Sequence, residues 1–514
     1  MKGKKILCGI LGIVTAFSCV TLAACGGKGG DSLVDDLQFD EFGDPIFNDV
    51  ELKVWSIVGE PDNVYLDQVN DMFNDYYSEN GLTADITSLS NSDFYTQLAN
   101  TINTDPENAP DVIVIHSERL TTLARDNIIV PMDDYYSALG DNNTFSTDNY
   151  LSNLMAECMY DGKVYGVPLD VHAGVWFVRE DILEKNDLQK PSTLTEFVDV
   201  CNALIEKYNN GTLWTRSMDR TNPANCSWVQ GKDFGENYNP VVMSSSGGIE
   251  QGWIPQTAVF QNGGALTDDR GYPAWNTEAL TEVMQMFRDW QTGENTLLLE
   301  DGSQRFTYEG AFVSDNNDYN TVWSKLSSGE AVFSCEGPWW IEQRLNEYES
   351  VLGGLEDTEG NTYEPLGIMN MSKLYALDEN AETASAIYGV GHCFSICRTV
   401  TSRTRRVAAA IYAQYMTENA IDYMQGGHLP ANKAILESEQ FTSKDWYQRY
   451  LVEFGDPENF VMLGNTPYYS AVYETLKDLY ADVFTPSMNG IPVADLVESC
   501  YQEALNEIAA LEGL

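Results

Sequence analysis

The sequence predicts an α/β protein, its parallel sheets covered by helices on both faces. Apolar runs of strand length recur along the chain, and each is followed by a segment whose apolar residues keep helical spacing. No internal repeat is present. Leu52-Lys53-Val54-Trp55-Ser56-Ile57 is the first strand-like run. Leu66, Val69, Met72, Phe73 and Tyr76 then predict a helix, with Gly81 as its stop. Asp111-Val112-Ile113-Val114-Ile115 has the composition of a buried parallel strand. Thr193-Leu194-Thr195-Glu196, after Pro191, is a capping box, in which the Thr hydroxyl and the Glu carboxylate satisfy backbone donors that a first helical turn leaves free. Phe197, Val200, Leu204, Ile205 and Tyr208 continue that helix. A second clear helix carries Leu280, Val283, Met284, Phe287 and Trp290 on one face, and Val407, Ile411, Tyr412, Tyr415 and the segment 496–505 predict two more. Residues 209–255 break the pattern: they are rich in Asn, Ser and Gly, yet hold Trp214, Trp228, Tyr238 and Trp253. So long a loop is functional or disordered, and its aromatics argue against disorder.

The N-terminus carries an address. Met1 to Lys5 holds three lysines, Ile6 to Leu22 is almost wholly apolar, and Leu22-Ala23-Ala24-Cys25 closes the stretch with small residues before a cysteine. A basic start, an apolar middle and a small-residue cleavage site make a secretory signal. The cysteine at the cut makes it a lipobox resembling those of bacterial lipoproteins, with Cys25 the expected lipidation site. Gly26-Gly27-Lys28-Gly29-Gly30 follows as a flexible leash. Residues 1–24 are thus the expected signal peptide and 25–50 a lipid-anchored acidic linker, partly docked on the body through its Phe and Leu residues. No later apolar run is long enough to span a bilayer. The expected location is the outer face of the cell membrane, held by the lipid.

Of 29 Lys and Arg, three leave with the leader, so 26 remain against 78 acidic residues. A field of that sign repels nucleic acid and anionic lipid surfaces and disfavours phosphate-like ligands. Seven cysteines remain in the body, an odd number without regular spacing. Cys393 and Cys397 would stand about 13 Å apart on an extended strand, too far for a disulfide. Unpaired thiols in an exported protein point to an anaerobic, Gram-positive habitat.

Four motifs narrow the function. They are Ala109-Pro110-Asp111-Val112-Ile113 with Glu118-Arg119; Gly162-Lys163-Val164-Tyr165-Gly166-Val167-Pro168; Gly329-Glu330-Ala331-Val332-Phe333 leading to Gly337-Pro338-Trp339; and Gly426-Gly427-His428-Leu429-Pro430-Ala431-Asn432. In this order, behind a lipobox, they resemble the extracellular solute-binding proteins of ABC transporters, specifically the carbohydrate class typified by maltose-binding protein. The resemblance runs from about Glu51 to the C-terminus. It implies a two-lobed, periplasmic-binding-protein-like α/β fold, each lobe a mostly parallel sheet flanked by helices, with about three crossovers at the hinge. Lobe one would hold 51–169 and 368–429, and lobe two 170–367 and 430–514.

The resemblance also implies a site. A sugar ring offers apolar C–H faces to flat aromatic rings and a rim of hydroxyls to carboxylates and guanidinium groups. Glu118-Arg119 corresponds to the pair that takes hydroxyls, and Trp339 to the indole that stacks on sugar, with Trp340 as its neighbour. Glu60 stands where the class often places a polar contact, a helix cap being the other reading. His172 stands where the class has a ligand-facing carboxylate. Asp170 is two residues away on the same strand face, and Trp176 four further along it, either in the cleft or as an inward core residue. His116 lies next to an aromatic position of the class that is Ile115 here. Either Tyr468 or Tyr469, after Pro467, supplies another stacking ring. The four histidines (116, 172, 392 and 428) lack the tight spacing on one element that zinc sites favour, so neither metal nor other cofactor is expected.

The implied function is capture of a carbohydrate, preferably an oligosaccharide, by a monomeric, non-enzymatic substrate-binding component that delivers it to membrane permease subunits. The 209–255 insertion would widen or cap the cleft. The alternatives are a surface glycan-degrading hydrolase with paired carboxylates, a sensor or adhesin, and a binder of peptide or polyamine on the same fold.

Overall fold

Two mixed sheets, joined by a short ladder, organise the chain. The computed structural model describes residues 37–513 apart from 90, 244–249, 300, 314–318, 446 and 448–455. The signal peptide, Cys25 and the linker up to residue 36 lie outside the described residues. The rest of the linker docks, as a hairpin of Gln38–Phe39 with Pro45–Ile46 that leads to a buried Phe47.

The first apolar run forms β1 (Val50–Ser56), followed by α1 (Asn63–Tyr77), β2 (Leu82–Ser88), α2 (Asn91–Thr104) and β3 (Val112–His116). Leu66, Val69 and Phe73 of α1 are fully buried. Each such side chain contributes about 1.5–3 kcal/mol of burial. Gly81 ends the helical stretch at φ +73°, in the left-handed region. β1 pairs in parallel with β2 and β3. Further strands are β4 (Ile129–Val130), β5 (Val167–Pro168), β6 (Asp170–Val171) and β7 (Val175–Val178).

The predicted capping box opens α3 (Leu194–Asn209), where Thr193 Oγ1 accepts from the Glu196 backbone N–H. The Glu196 carboxylate reaches back to Ser192 rather than Thr193, accepting from its N–H at 2.8 Å and its hydroxyl at 2.7 Å. β8 (Val241–Val242), α4 (Glu250–Gln261) and α5 (Glu278–Thr292) follow. The predicted face of α5, from Leu280 to Trp290, is buried, with Thr277 as N-cap and Gly293 as left-handed C-cap. Then come β9 (Phe333–Glu336), α6 (Ile341–Leu352), β10 (Gly367–Met369), β11 (His392–Cys397), α7 (Arg403–Glu418), β12 (Leu429–Pro430), α8 (Thr475–Val483) and α9 (Val493–Glu512).

The first sheet has the order β2-β1-β3-β11-β4, with β5 also on β11; the second has β8-β9-β7-β10. The sheets are mixed, not mostly parallel. β11 runs antiparallel to β3, β4 and β5, and β7 runs antiparallel to β9 and β10. The reason is the crossing itself. A strand entering from the other lobe comes through the hinge and not over a helix, so the rule that makes helix-connected strands parallel does not govern it.

The hinge ladder is β6 against β12, with Asp170 opposite Pro430 and Val171 opposite Leu429, extended by a bridge from His172 to Val390. The passages between lobes depart from residues 368 and 430. β10 belongs to the second sheet, and Met371, Leu374 and Tyr375 pack in the second core, so the chain returns only at Val390–His392. After β12, Phe441 and Phe460 are buried with the first core, and Leu463 re-enters the second. Among the described residues no helix is long and apolar enough to cross a membrane. All seven cysteines of the body are buried, and none of them is in a disulfide.

Candidate functional site

A cleft of about 360 Å³ opens where β1 and β3 end, between the sheets. That is the position at which open α/β sheets take ligands, because strand ends and the turns beyond them present unpaired polar groups there. Its first wall comes from Gly59, Glu60 and Asp62 after β1, and from His116, Glu118 and Arg119 at the end of β3 and beyond. The second wall is Trp253, Trp339, Tyr469, Tyr473, Glu474 and Lys477, and the floor is His172, Val390, His392 and His428.

Register assembles this floor. β11 against β3 puts His392 opposite His116, their rings 4.9 Å apart. The β6–β12 ladder brings His172 beside His428, with ring centroids 4.8 Å apart. Gly427, at φ +86°, makes room for the second lobe, because a Cβ there would strike the Pro338 carbonyl. That approach sets the Trp339 indole nearly parallel to the His428 ring, 6.1 Å away, and edge-on to His172 at 5.8 Å. Trp253 stands 5.9 Å from Trp339.

Glu118 and Arg119 join the walls. The Arg119 guanidinium lies between the rings of Tyr95 (4.5 Å) and Tyr469 (3.9 Å) and bonds Glu474 at 3.1 Å. Glu118 is buried; its Oε1 accepts from the Tyr469 hydroxyl at 3.3 Å, and its Oε2 has no partner among the described residues. Burial, with the nearby Glu157 charge, pushes the Glu118 carboxyl up to about 8, against a smaller opposing pull from Arg119. Glu157 rises to about 7, also by burial, although it accepts a 2.5 Å hydrogen bond from Ser117. Glu118 is therefore a neutral acid at pH 7, able to donate as well as accept.

Asp170 lies beneath the floor, fully buried. Its Oδ1 accepts from the His392 backbone N–H at 2.8 Å, and its Oδ2 from the Tyr423 hydroxyl at 2.8 Å. Burial alone would raise its carboxyl, but His392 and His428 hold it well below the usual range. Burial pushes His172 down to about 4 and His116 well below the ordinary imidazole value. His428 is penalised by burial, yet Asp170 and Asp62 raise it overall.

Eight of the eleven ligand-contact residues expected from the sequence thus gather here: seven line the cleft, and Asp170 lies just under it. Three do not. Trp176 is fully buried in the second core, its Nε1–H donating to the Tyr375 hydroxyl at 2.9 Å. The same-face argument from Asp170 failed because the chain leaves extended pairing at Ala173-Gly174, where a Cβ on Gly174 would strike Met371 and Trp253. Trp340 packs against Trp323 and under the Arg344 guanidinium, away from the cleft. Tyr468 turns outward to Tyr272 and donates to Glu512 at 2.6 Å, leaving Tyr469 as the cleft ring.

Sequence reasoning missed Asp62, Tyr473, Glu474 and Lys477, named Trp253 only as part of the insertion expected at the cleft, and weighed a binding role for His392 and His428 only as metal ligands. Of the 209–255 insertion, Gly252 and Trp253 border the cleft. Trp228 meets Tyr363, and Tyr238 stacks on Tyr208 in the second lobe. The spacing argument about metal overlooked one cluster. Asp170, His172, His392 and His428 bring four ligand atoms within 4.8 Å of one another. They come from three separate stretches of chain, so spacing on one element could not reveal them.

A family model for bacterial extracellular solute-binding proteins matches residues 71–447. Comparison with curated proteins gives no match. Among solved structures, the chain is similar to the GacH receptor of Streptomyces glaucescens, solved unliganded and with acarbose, at TM-score 0.61 and 15% identity over 89% of this chain and 98% of that one. It is similar to an ABC substrate-binding protein of Listeria monocytogenes in complex with cycloalternan, at TM-score 0.62 and 12% identity over 89% and 99%. It is also similar to the maltodextrin-binding domain of Bdellovibrio bacteriovorus bound to maltotriose, at TM-score 0.61 and 16% identity over 89% and 100%. At these identities the likeness concerns the fold, which is that of two-lobed binding proteins. With the family model spanning most of the chain, this protein belongs to the bacterial extracellular solute-binding proteins.

Proposed function

We propose that this protein is the capture component of an ABC importer and that its cargo is a carbohydrate, preferably a short oligosaccharide. The observation that carries the reading is the pairing of indoles with hydrogen-bonding groups across the cleft. Trp253 and Trp339 offer flat apolar surface on one wall, while Glu118 and Arg119 offer a neutral acid and a guanidinium on the other. A cleft of about 360 Å³ sits at the low end of the roughly 300–1,000 Å³ typical of small-molecule sites, which suits a short ligand. The solved relatives with acarbose, cycloalternan and maltotriose support the same class.

A ligand touching both walls stabilises the closed form by its differential affinity for that form, and the closed protein docks on its permease. Arg119, already bridging to Glu474, would carry part of that closure. Lipidation of Cys25 would hold the protein at the membrane, and intact-mass analysis of the membrane fraction tests it, since Cys25→Ser should release an unacylated chain. No turnover is required of any residue. A glycan screen by thermal shift, followed by calorimetry, tests the cargo. Saturable binding that raises the unfolding temperature, with no new products, is expected. Binding of peptides or polyamines in place of glycans, or release of cleaved sugar, would overturn it.

A further inference from the structure

The floor of the cleft has the donor set of a metal centre. Nδ1 of His428 lies 3.3 Å from Nδ1 of His172 and 3.2 Å from Asp170 Oδ2. Nδ1 of His392 lies 2.9 Å from Asp170 Oδ2, and Nδ1 of His172 lies 3.7 Å from Asp170 Oδ1. Four ligands at zinc–nitrogen and zinc–oxygen bond lengths of about 2.0–2.1 Å form a tetrahedron with edges of about 3.3 Å. The three separations that meet at His428 Nδ1 or Asp170 Oδ2, from 2.9 to 3.3 Å, lie near that edge, while the 3.7 Å one runs to the other carboxylate oxygen. One ligand atom from each of the four residues lies within 4.8 Å of the others.

The surroundings are those of a ligating shell. Asp62 Oδ2 is 3.0 Å from His428 Nε2, and the tautomer protonated there would leave the Nδ1 lone pair for an ion. The Tyr423 hydroxyl holds the Asp170 carboxylate in place. Two ring nitrogens stand 3.3 Å apart, and Asp170 Oδ2 lies within reach of His392, His428 and the Tyr423 hydroxyl, so the potential ligand atoms already converge on one point. Asp170 is fully enclosed, while the three imidazoles also border the cleft.

We propose that Asp170, His172, His392 and His428 bind one divalent transition-metal ion of the zinc class. Three imidazoles and one carboxylate select such ions over calcium or magnesium, which prefer all-oxygen cages. The ion would tie the β6 crossover, the start of β11 and the turn before β12 into one unit at the hinge. It would sit beneath Trp339 and Trp253, with His172, His392 and His428 opening onto the cleft. The site shares its histidines with the floor of the cleft but does not depend on the carbohydrate reading, and it is tested without sugar.

The full mature chain, stripped with a chelator and dialysed, is titrated with zinc in millimolar calcium, which occupies the acidic surface. One equivalent should bind with a rise in unfolding temperature, and cobalt in its place should give the intense visible bands of a low-coordinate nitrogen-rich site. His172→Gln and His428→Gln should each weaken zinc by roughly 100-fold or more, and Asp62→Asn by about 10–100-fold. Metal-free circular dichroism checks that the variants fold; if either does not, the cobalt spectrum of the unaltered chain decides. Uptake without fixed stoichiometry, an octahedral cobalt spectrum, or zinc affinity unchanged in the folded variants overturns the proposal.

Discussion

Replacing Glu118 by glutamine tests whether a buried carboxyl in the cleft is neutral at working pH. The groups facing it are Glu157 on the helix Ser152–Glu157, its neighbour Arg119, and Tyr469 and Glu474 from the second lobe. Its folded value of about 8 stands against an ordinary 4.5. The folded protein therefore keeps a proton between these values that the unfolded chain releases. Stability contributed by this group falls as pH rises through that window and levels off above about 8. At pH 7 the loss is on the order of 3 kcal/mol, from 1.36 kcal/mol per unit over the interval from the ordinary value. A body of this size unfolds with an entropy of about 1 kcal/mol/K, so the loss appears as roughly 3 °C. Glutamine does not titrate. Glu118→Gln should match the parent, apart from a fixed offset, at pH 5 and gain about 3 °C on it by pH 7, by scanning fluorimetry in ligand-free buffer. A gap that stays constant from pH 5 to pH 8 would show an ordinary, ionised Glu118 and refute the neutral-donor reasoning.

Two tryptophans separate cleft from core. Trp339→Ala should weaken glycan binding by roughly thirtyfold, about 2 kcal/mol of lost ring burial, with little change in ligand-free stability; calorimetry and a melt measure both. Trp176→Ala should instead cost about 3–5 kcal/mol of stability, read as a drop in melting temperature, and equal stability of the two variants would contradict the assignment. Asp181 is fully buried between Arg179 (2.9 Å) and Arg216 (2.6 Å), so Asp181→Asn leaves two cations unneutralised and should cost about 3–5 kcal/mol. A melting shift under about 1 °C would show that solvent or another anion reaches the pair.

The local elements were legible because their signals are local. Helical spacing over 280–290, the Thr193 cap and the apolar run 112–115 each state a period and a burial face that tertiary packing then used, whereas of the face predicted over 66–76 only Leu66, Val69 and Phe73 are buried and Met72 and Tyr76 are exposed. The motif order carried the two-lobed arrangement and the residues Glu60, His116, Glu118, Arg119, His172, Trp339 and Tyr469. Where period-two reasoning was carried through Ala173-Gly174 it lost phase, and Trp176 turned into the core. The passage near residue 368 was misplaced because a three-residue strand gives no sign of which sheet it will join.

What the chain alone determined is its clearest strands and helices, since side-chain periodicity and turn chemistry act within a few residues; the strand Val241–Val242 and the start of the helix Glu250–Gln261, inside the stretch read as a loop, carry no such period. What only the folded molecule decided is which ends meet. His172 lies 220 residues from His392 and 256 from His428, and only the β6–β12 and β3–β11 registers bring these rings together with Asp170 and His116. Register depends on long-range pairing and close approach, such as Gly427 against Pro338. No spacing along one element encodes that, and so the meeting of His392 and His428 with the expected His172 was invisible until the strands were laid side by side.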